Sequence, residues 1–210
     1  MKKTLILLFP FLILSLSKGN TQNNIPHLKK NGAATQLMVD NEPFIMIAGE
    51  VHNSSASTVE YMEPLFPKLK TMNLNSVFVT LAWEQFEPKE GTYDYSLVNA
   101  IIDNAKKNDL KVCLLWFASW KNGESSYAPL WVKKDTKRFF RVITKDGNEI
   151  ETLSPFCEAT KKADARAFAQ LMKHVKEYDK DQTVILMQPQ NEVGMFQDID
   201  YNPIALELYE

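Results

Sequence analysis

Four short apolar runs limit the folds that are open to this chain. They are residues 44–52, 76–83, 111–117 and 183–188, and each is followed by a polar cluster. The runs are nearly continuous rather than alternating, which is typical of strands that are buried on both faces. Such strands occur in parallel sheets that are covered by helices, so the sequence predicts an α/β fold.

Helical patterns lie between the predicted strands. Residues 64–72 favour a helix despite Pro67, and residues 97–105 carry an apolar stripe at helical spacing. A second stripe consists of Phe168, Leu171, Met172, Val175 and Tyr178. One insertion follows the third strand, where residues 139–151 are typical of a β-hairpin that turns at Asp-Gly. The chain therefore predicts about four βα units with a hairpin insertion, and binding loops at the carboxyl ends of the strands.

The composition excludes several classes of protein. The 210 residues are 45% hydrophobic and carry a formal net charge of −2. This supports one apolar core and gives too little positive charge for a surface that follows the phosphates of nucleic acid. The three histidines, His27, His52 and His174, lack the spacing of metal ligands, so we expect no metal and no cofactor.

The N-terminus is typical of a secretory signal peptide. Two lysines precede an apolar run at residues 5–14, and small residues follow it. The run is too short to span a bilayer comfortably, so we expect no stable membrane anchor. We predict a signal peptide at 1–19, a lead-in segment at 20–42 and a folded domain at 43–210. The protein is then exported, to the periplasm or the extracellular space.

The two cysteines could form a disulfide in an exported protein. Cys113 lies inside the third apolar run, however, where a thiol is commonly buried and free. Cys157 lies in a polar segment. The pattern slightly favours two free thiols over a disulfide.

The polar clusters after the four strands contain the candidate functional residues. In strand order these are Glu50, Trp83, Ser119, Trp120, Asn191 and Glu192. If the strands are parallel, all of them converge on one face of the sheet. Indole rings stack on the apolar face of a pyranose, whereas carboxylates and amides bind its hydroxyl groups. The pattern therefore favours a sugar-binding site.

Three segments resemble β-galactosidase-like glycoside hydrolases of families 35 and 42, which belong to the retaining clan A. The stretch at 83–112, which begins WEQFEPKEGTYDY, resembles their Trp…Glu-Pro-x-x-Gly-x-Tyr-Asp-Phe segment. GEVHNSS at 49–55 resembles their first-strand Gly-x-x-His segment, and QPQNEVG at 188–194 resembles Gln-x-x-Asn-Glu-x-Gly. The similarity extends from about residue 43 to residue 194.

This resemblance implies a (β/α)8 TIM barrel, of which these residues form the N-terminal half, incomplete at the C-terminus. It implies an enzyme that hydrolyses terminal β-glycosidic bonds, β-galactosides above all, in an oligo- or polysaccharide substrate. Glu192 matches the general acid/base, and Asn191 matches a residue that binds the 2-hydroxyl group of the sugar. The further candidates for substrate binding are Trp83, Ser119, Trp120 and Glu50.

A retaining mechanism needs a second carboxylate about 5–5.5 Å from the first. The resemblance places this nucleophile after a seventh strand, beyond residue 210. We therefore expect the 210 residues alone to be inactive. Glu87, which precedes Pro88, is interpreted as a buried structural acid rather than as the second carboxylate.

The chain differs from family 35 at three positions of the sugar pocket. Ser119 stands where a glutamate holds galactose, Thr80 where a tyrosine is common, and Gln190 where an acid usually precedes the catalytic glutamate. These differences concern which sugar is bound rather than whether a bond is hydrolysed. One alternative is a non-catalytic glycan-binding module that uses the same aromatic rim. A third hypothesis, an exported esterase, lacks the Gly-x-Ser-x-Gly elbow.

Overall fold

The computed structural model describes residues 25–195 and 199–209, so the predicted signal peptide at 1–19 lies outside the described residues. The strands are β1 (His27–Asn31), β2 (Ala34–Val39), β3 (Glu42–Pro43), β4 (Ala48–Glu50), β5 (Ser76–Ala82), β6 (Lys111–Phe117), β7 (Arg141–Ile143), β8 (Glu149–Leu153) and β9 (Val184–Gln188). The helices are α1 (Val59–Met62), α2 (Leu65–Thr71), α3 (Trp83–Phe86), α4 (Ser96–Lys107), α5 (Leu130–Lys134), α6 (Glu158–Tyr178) and α7 (Pro203–Tyr209), with a short 3₁₀ helix at Asn53–Ala56.

The central sheet confirms the predicted α/β architecture. Strands β4, β5, β6 and β9 lie in this order, and each neighbouring pair is parallel. The first strand is shorter than predicted, because only Ala48–Glu50 of the run 44–52 pairs with β5. The predicted hairpin is present as β7 and β8, and Gly147 in its turn has a φ of 78°, which glycine adopts without steric cost. Four parallel strands joined through helices correspond to the N-terminal half of a (β/α)8 barrel.

The two faces of the central sheet belong to different apolar clusters. Val77, Val79 and Leu81 of β5 lie in the main core together with residues of the helices. Phe78 lies on the opposite face and packs with Cys113 of β6 in a smaller cluster. Both faces are therefore apolar, which accounts for the nearly continuous runs in the sequence.

An N-terminal sheet occupies part of the predicted lead-in segment, and the sequence analysis missed it. Strands β1, β2 and β3 form an antiparallel sheet. Val39 of β2 packs with Cys113 and Ile185 of the central sheet. The small sheet therefore covers part of the face opposite the helices. β1 is exposed along its length, so it lacks the alternation of apolar and polar residues by which a strand is predicted.

The buried stripe of α6 agrees in part with the prediction. Leu171 and Val175 are buried as expected, but Met172 and Tyr178 are exposed at 37% and 39%. Smaller or polar residues occupy the remaining buried positions, which are Thr160, Ala163, Asp164 and Ala167. The prediction counted large apolar side chains, whereas alanine allows the helix to pack closely against the sheet.

Glu87 is the buried structural acid that the sequence predicts. Its side chain has no exposed surface. Its carboxylate accepts hydrogen bonds from Nε1 of Trp83 at 2.8 Å, from the backbone N–H of Gly91 at 2.7 Å and from Nη2 of Arg166 at 3.1 Å. Because the charge is paired and each oxygen is hydrogen-bonded, the carboxylate is stable inside the core. It joins α3, the loop that follows it and α6.

The two cysteines are free thiols, and both are buried. Burial raises the pKa of Cys113 to about 11. The thiolate is the reactive form of cysteine, so this residue is inert at neutral pH.

His174 lies in an aromatic stack between α4 and α6. Its ring centroid is 4.0 Å from that of Tyr95 and 5.4 Å from that of Tyr178, and both pairs of rings are nearly parallel. Burial lowers the pKa of His174 below the ordinary value of 6.5, although the charge of Glu177 opposes this effect. The folded protein therefore favours the neutral imidazole.

We expect the free energy of unfolding to fall as the pH is lowered through the ordinary histidine pKa of about 6.5. In that range the unfolded chain binds more protons than the folded chain, so acid favours unfolding. Denaturant unfolding at about pH 7.5 and about pH 5.5 would measure the loss for the wild type and for His174→Gln. The variant should lose less stability than the wild type. Equal losses would show that His174 does not contribute.

Candidate active site

The residues predicted from the sequence lie at the carboxyl end of the central sheet. Glu50 ends β4, Trp83 follows β5, Ser119 and Trp120 follow β6, and Asn191 and Glu192 follow β9. The four strands are parallel and adjacent, so the loops that follow them gather at one edge. The structure therefore brings these residues to the same end of the sheet, although their side chains differ widely in exposure.

Glu192 presents an exposed carboxylate that is held by a buried lysine. Its side chain is 62% exposed, whereas that of Lys121 is 10% exposed. Nζ of Lys121 lies 2.9 Å from Oε2 of Glu192 and 5.0 Å from the ring centroid of Phe117. Lys121 thus fixes one oxygen of the carboxylate while most of the side chain faces solvent.

The backbone of Glu192 is fixed by a turn that follows β6. Asn122 and Gly123 have φ values of 54° and 70°, the conformation that Asn-Gly favours in tight turns. The N–H of Gly123 donates to the carbonyl oxygen of Glu192 at 3.2 Å. Glu192 itself has a φ of 47°, which is uncommon for a residue other than glycine. Backbone of this kind is concentrated at functional sites.

Asn191 is half-buried beside Glu192 and is oriented by its neighbour in the loop. Its Oδ1 accepts a hydrogen bond from Nε2 of Gln188 at 2.8 Å. Because the oxygen is the atom that accepts, the amide nitrogen of Asn191 is the group oriented to donate elsewhere. An amide donor beside a carboxylate suits the recognition of a sugar hydroxyl group.

Ser119 lies below the rim rather than on it. The residue is 6% exposed, and its Oγ donates to Oδ2 of Asp164 at 2.5 Å. Its carbonyl oxygen accepts from Oγ of Ser125 at 2.7 Å. The hydroxyl group expected to contact substrate is thus engaged within the protein, so Ser119 supports the loop.

Trp83 lies in the core, in contrast to the expected place on the rim. It is 0% exposed, donates through Nε1 to Glu87 at 2.8 Å, and packs edge-on against Trp131 with ring centroids 5.8 Å apart. The chain turns into α3 at this residue, so the indole packs among the helices.

Trp120 is 8% exposed and lines a cavity, and Glu50 is exposed at the end of β4.

Asp164 is a residue of this region that the sequence analysis missed. It is buried in α6 and accepts four hydrogen bonds. The donors are Nε1 of Trp116, the N–H and Oγ of Ser119, and Nε2 of Gln190. A lone aspartate between the buried alanines Ala163 and Ala167 was the available signal, because a buried carboxylate needs several partners.

A cavity of about 680 Å³ lies between α6 and the loops that follow β6 and β9. Its predominantly apolar lining includes Trp120, Pro155, Phe168, Pro189, Val193 and Met195. Ser119, Asp164 and Gln190 also line it. The hydrogen bonds around Asp164 therefore form part of the wall of this cavity.

No group of histidine, cysteine or acidic side chains suited to a metal ion is found in the part of the chain that the structure describes. Within residues 25–195 and 199–209, no helix is both long and apolar enough to cross a bilayer.

Comparison with known proteins relates most of the chain to one enzyme family. The model of glycoside hydrolase family 42, described as beta-galactosidase, matches residues 54–210. The probable beta-galactosidase C of Talaromyces marneffei (strain ATCC 18224 / CBS 334.59 / QM 7333) is 28% identical over 160 residues. The match covers 73% of this chain and 15% of that protein. The chain thus spans a small part of the length of this relative.

Two solved structures share the fold. The exo-beta-1,4-mannosidase Op5Man5 from Opitutaceae bacterium strain TAV5 has a TM-score of 0.50 and 15% identity, over 69% of this chain and 24% of that chain. The catalytic domain of beta-amylase from Paenibacillus polymyxa has a TM-score of 0.50 and 16% identity, over 62% of this chain and 33% of that chain. Both agree with the partial barrel described above. Because the family model covers residues 54–210, the chain belongs to glycoside hydrolase family 42, the beta-galactosidase family.

Proposed function

We propose that this chain forms the acid/base half of the active site of a retaining glycosidase that hydrolyses terminal β-galactosides. The observation that carries the proposal is the position of Asn191 and Glu192, which follow β9 at the carboxyl end of the sheet. There the Glu192 carboxylate is 62% exposed and fixed by Lys121. Family membership supports the hydrolysis of glycosidic bonds. The name of the fungal relative supports β-galactosides.

In this mechanism Glu192 acts first as an acid and then as a base. It donates a proton to the oxygen of the leaving group, and in the second step it takes a proton from the attacking water. Lys121, 2.9 Å away, pairs with the carboxylate once the proton has been transferred. The amide of Asn191 binds the 2-hydroxyl group of the sugar.

The second carboxylate, the nucleophile, is assigned by this proposal to a glutamate beyond residue 210. Under this assignment the 210 residues hold one of the two carboxylates that retention requires, and alone they do not turn over substrate. The substrate is an oligo- or polysaccharide β-glycoside. The N-terminal pattern supports an exported enzyme.

The burial of the two indoles that were expected on the rim argues against a non-catalytic glycan-binding module. Such a module needs exposed aromatic rings on which a sugar can stack. Trp83 is 0% exposed and Trp120 is 8% exposed. The Glu192 carboxylate at the rim is 62% exposed, which suits catalysis better than stacking.

In the full-length gene product we expect Glu192→Gln to lower kcat/KM by about 10²–10⁴-fold on β-galactosides with poor leaving groups. On nitrophenyl β-galactosides the loss should be much smaller, because such a leaving group departs without a proton. The measurement is kcat/KM on the two classes of substrate, which reports the first chemical step. Parallel assays with β-glucosides and β-mannosides test the sugar.

A matched control is Glu84→Gln. Glu84 also lies at the rim, after β5, and pairs with Lys133 at 3.4 Å with 44% of its side chain exposed. This change should leave the ratio between the two substrate classes unaltered. If Glu192→Gln affected both classes equally, or neither, the acid/base role would be wrong. Cleavage of β-glucosides but not β-galactosides would contradict galactose as the sugar, and the acid/base role of Glu192 would stand.

A further inference from the structure

A single buried carboxylate, that of Asp164, connects the two loops that build the rim. We propose that Asp164 is a positioning residue, which acts through Gln190 and Ser119 to hold Glu192 in place. This inference rests on the proposed function of Glu192. It adds a residue from α6 to a site whose other members come from the strand ends.

The geometry around Asp164 supports this role. Its Oδ2 accepts from Oγ of Ser119 at 2.5 Å and from Nε2 of Gln190 at 2.9 Å. Its Oδ1 accepts from Nε1 of Trp116 at 2.8 Å, which anchors the carboxylate to β6. One oxygen atom is therefore shared by the loop after β6 and the loop after β9. This oxygen therefore links the two loops directly.

The same two loops meet again at Glu192. There Lys121 pairs with the carboxylate, and Gly123 donates to the carbonyl oxygen. The loop after β9 is thus held on one side by Asp164, through Gln190, and on the other side by the turn that follows Lys121. If the contact with Asp164 is lost, the loop is held at one side only, and the position of Glu192 becomes less defined.

Position 190 needs a hydrogen-bond donor. A carboxylate there would lie about as close to Asp164 as the amide does, and two adjacent carboxylates do not ionise together readily. Among the described residues, Oε1 of Gln190 is buried without a partner. The bond from its Nε2 to Asp164 is therefore the contact that orients this side chain. Amide and carboxylate form a complementary pair that can be exchanged by mutation.

The test is an exchange of these two groups in the full-length gene product. Gln190→Glu and Asp164→Asn should each lower kcat on poorly activated β-galactosides by on the order of 10- to 100-fold, with a smaller change in KM. The double variant restores one amide and one carboxylate in contact, although an amide nitrogen in place of Oδ2 of Asp164 no longer accepts from the N–H of Ser119. It should recover part of the lost kcat. Gln190→Ala removes the bond without adding charge, so its kcat should lie between that of the wild type and that of Gln190→Glu.

Hydrogen exchange provides a second measurement that does not depend on turnover. Amides in residues 119–124 and 190–194 should exchange faster in the single variants and more slowly again in the double variant. Asp103→Asn is the control. Asp103 accepts a hydrogen bond from Tyr178 at 2.8 Å between α4 and α6. Loss of this bond should leave the exchange rates in both loops unchanged.

The two proposals fail in different ways. If the double variant recovers neither kcat nor slow exchange, Asp164 does not position the loops. If Glu192→Gln leaves the ratio between substrate classes unchanged, the proposed function falls. The exchange measurements still decide the role of Asp164 in that case, because recovery in the double variant supports the role and its absence overturns it.

Discussion

Glu87→Ala is expected to lower the free energy of unfolding by about 3 kcal/mol. The change removes the acceptor of the buried N–H groups of Trp83 and Gly91 and leaves Arg166 without its closest carboxylate. Arg166 is 42% exposed and can turn towards water, so the cost comes chiefly from the two neutral donors. Denaturant unfolding of the wild type and the variant measures the difference.

Glu90→Ala is the matched control. Glu90 makes two bonds to Arg138, at 2.8 and 2.7 Å, and a longer one to Arg166 at 3.5 Å. Its side chain is 36% exposed, so water can replace these partners. The expected loss is at most about 1 kcal/mol. Similar losses for the two variants would show that the burial of Glu87 is not what makes it important.

Trp83→Ala is expected to lower the free energy of unfolding by about 3–5 kcal/mol. The indole is fully buried, and its removal leaves a cavity beside Trp131 and an oxygen of Glu87 without a donor. Trp83→Phe should cost less, about 1–3 kcal/mol, since a six-membered ring is kept while the pyrrole ring and its hydrogen bond are lost. Neither change should alter the affinity of the folded full-length protein for galactose.

Calorimetric titration with galactose, beside denaturant unfolding, separates the two roles of Trp83. Weaker galactose binding with little loss of stability would show that Trp83 contacts the sugar rather than supporting the core. Stability losses should also be non-additive between Trp83 and Glu87, because the two variants remove the same hydrogen bond. Simple additivity would mean that this bond contributes little.

The central sheet could be predicted from the sequence because its signal is local. A strand that is buried on both faces is apolar at nearly every position, and β5 and β6 show this without reference to any partner. The location of the site at the carboxyl end of the sheet could be predicted because the strands are parallel. The burial of Glu87 was also suggested locally, by its place before Pro88.

Features that depend on distant partners could not be predicted. Trp83 ends an apolar run and so resembled a rim residue, but its indole turns inward and packs against Trp131 of α5. Asp164 resembles an ordinary helix acid until β6 and β9 supply its donors. Lys121 lies 71 residues from Glu192 in the chain, and no local pattern relates them. Each of these contacts arises only when segments remote in sequence are brought together.

The small sheet β1–β3 changes where this domain should be considered to begin. The family match starts at residue 54, after β4 has ended. A protein trimmed there would lose an edge strand of the central sheet, and also Leu37 and Val39, which pack in the cluster with Phe78. Sequence similarity shows which residues the relatives have in common. A truncation for expression or for a chimaera must also keep the residues that are buried in the core. For this chain the packing of Leu37 and Val39 requires a cut before β2.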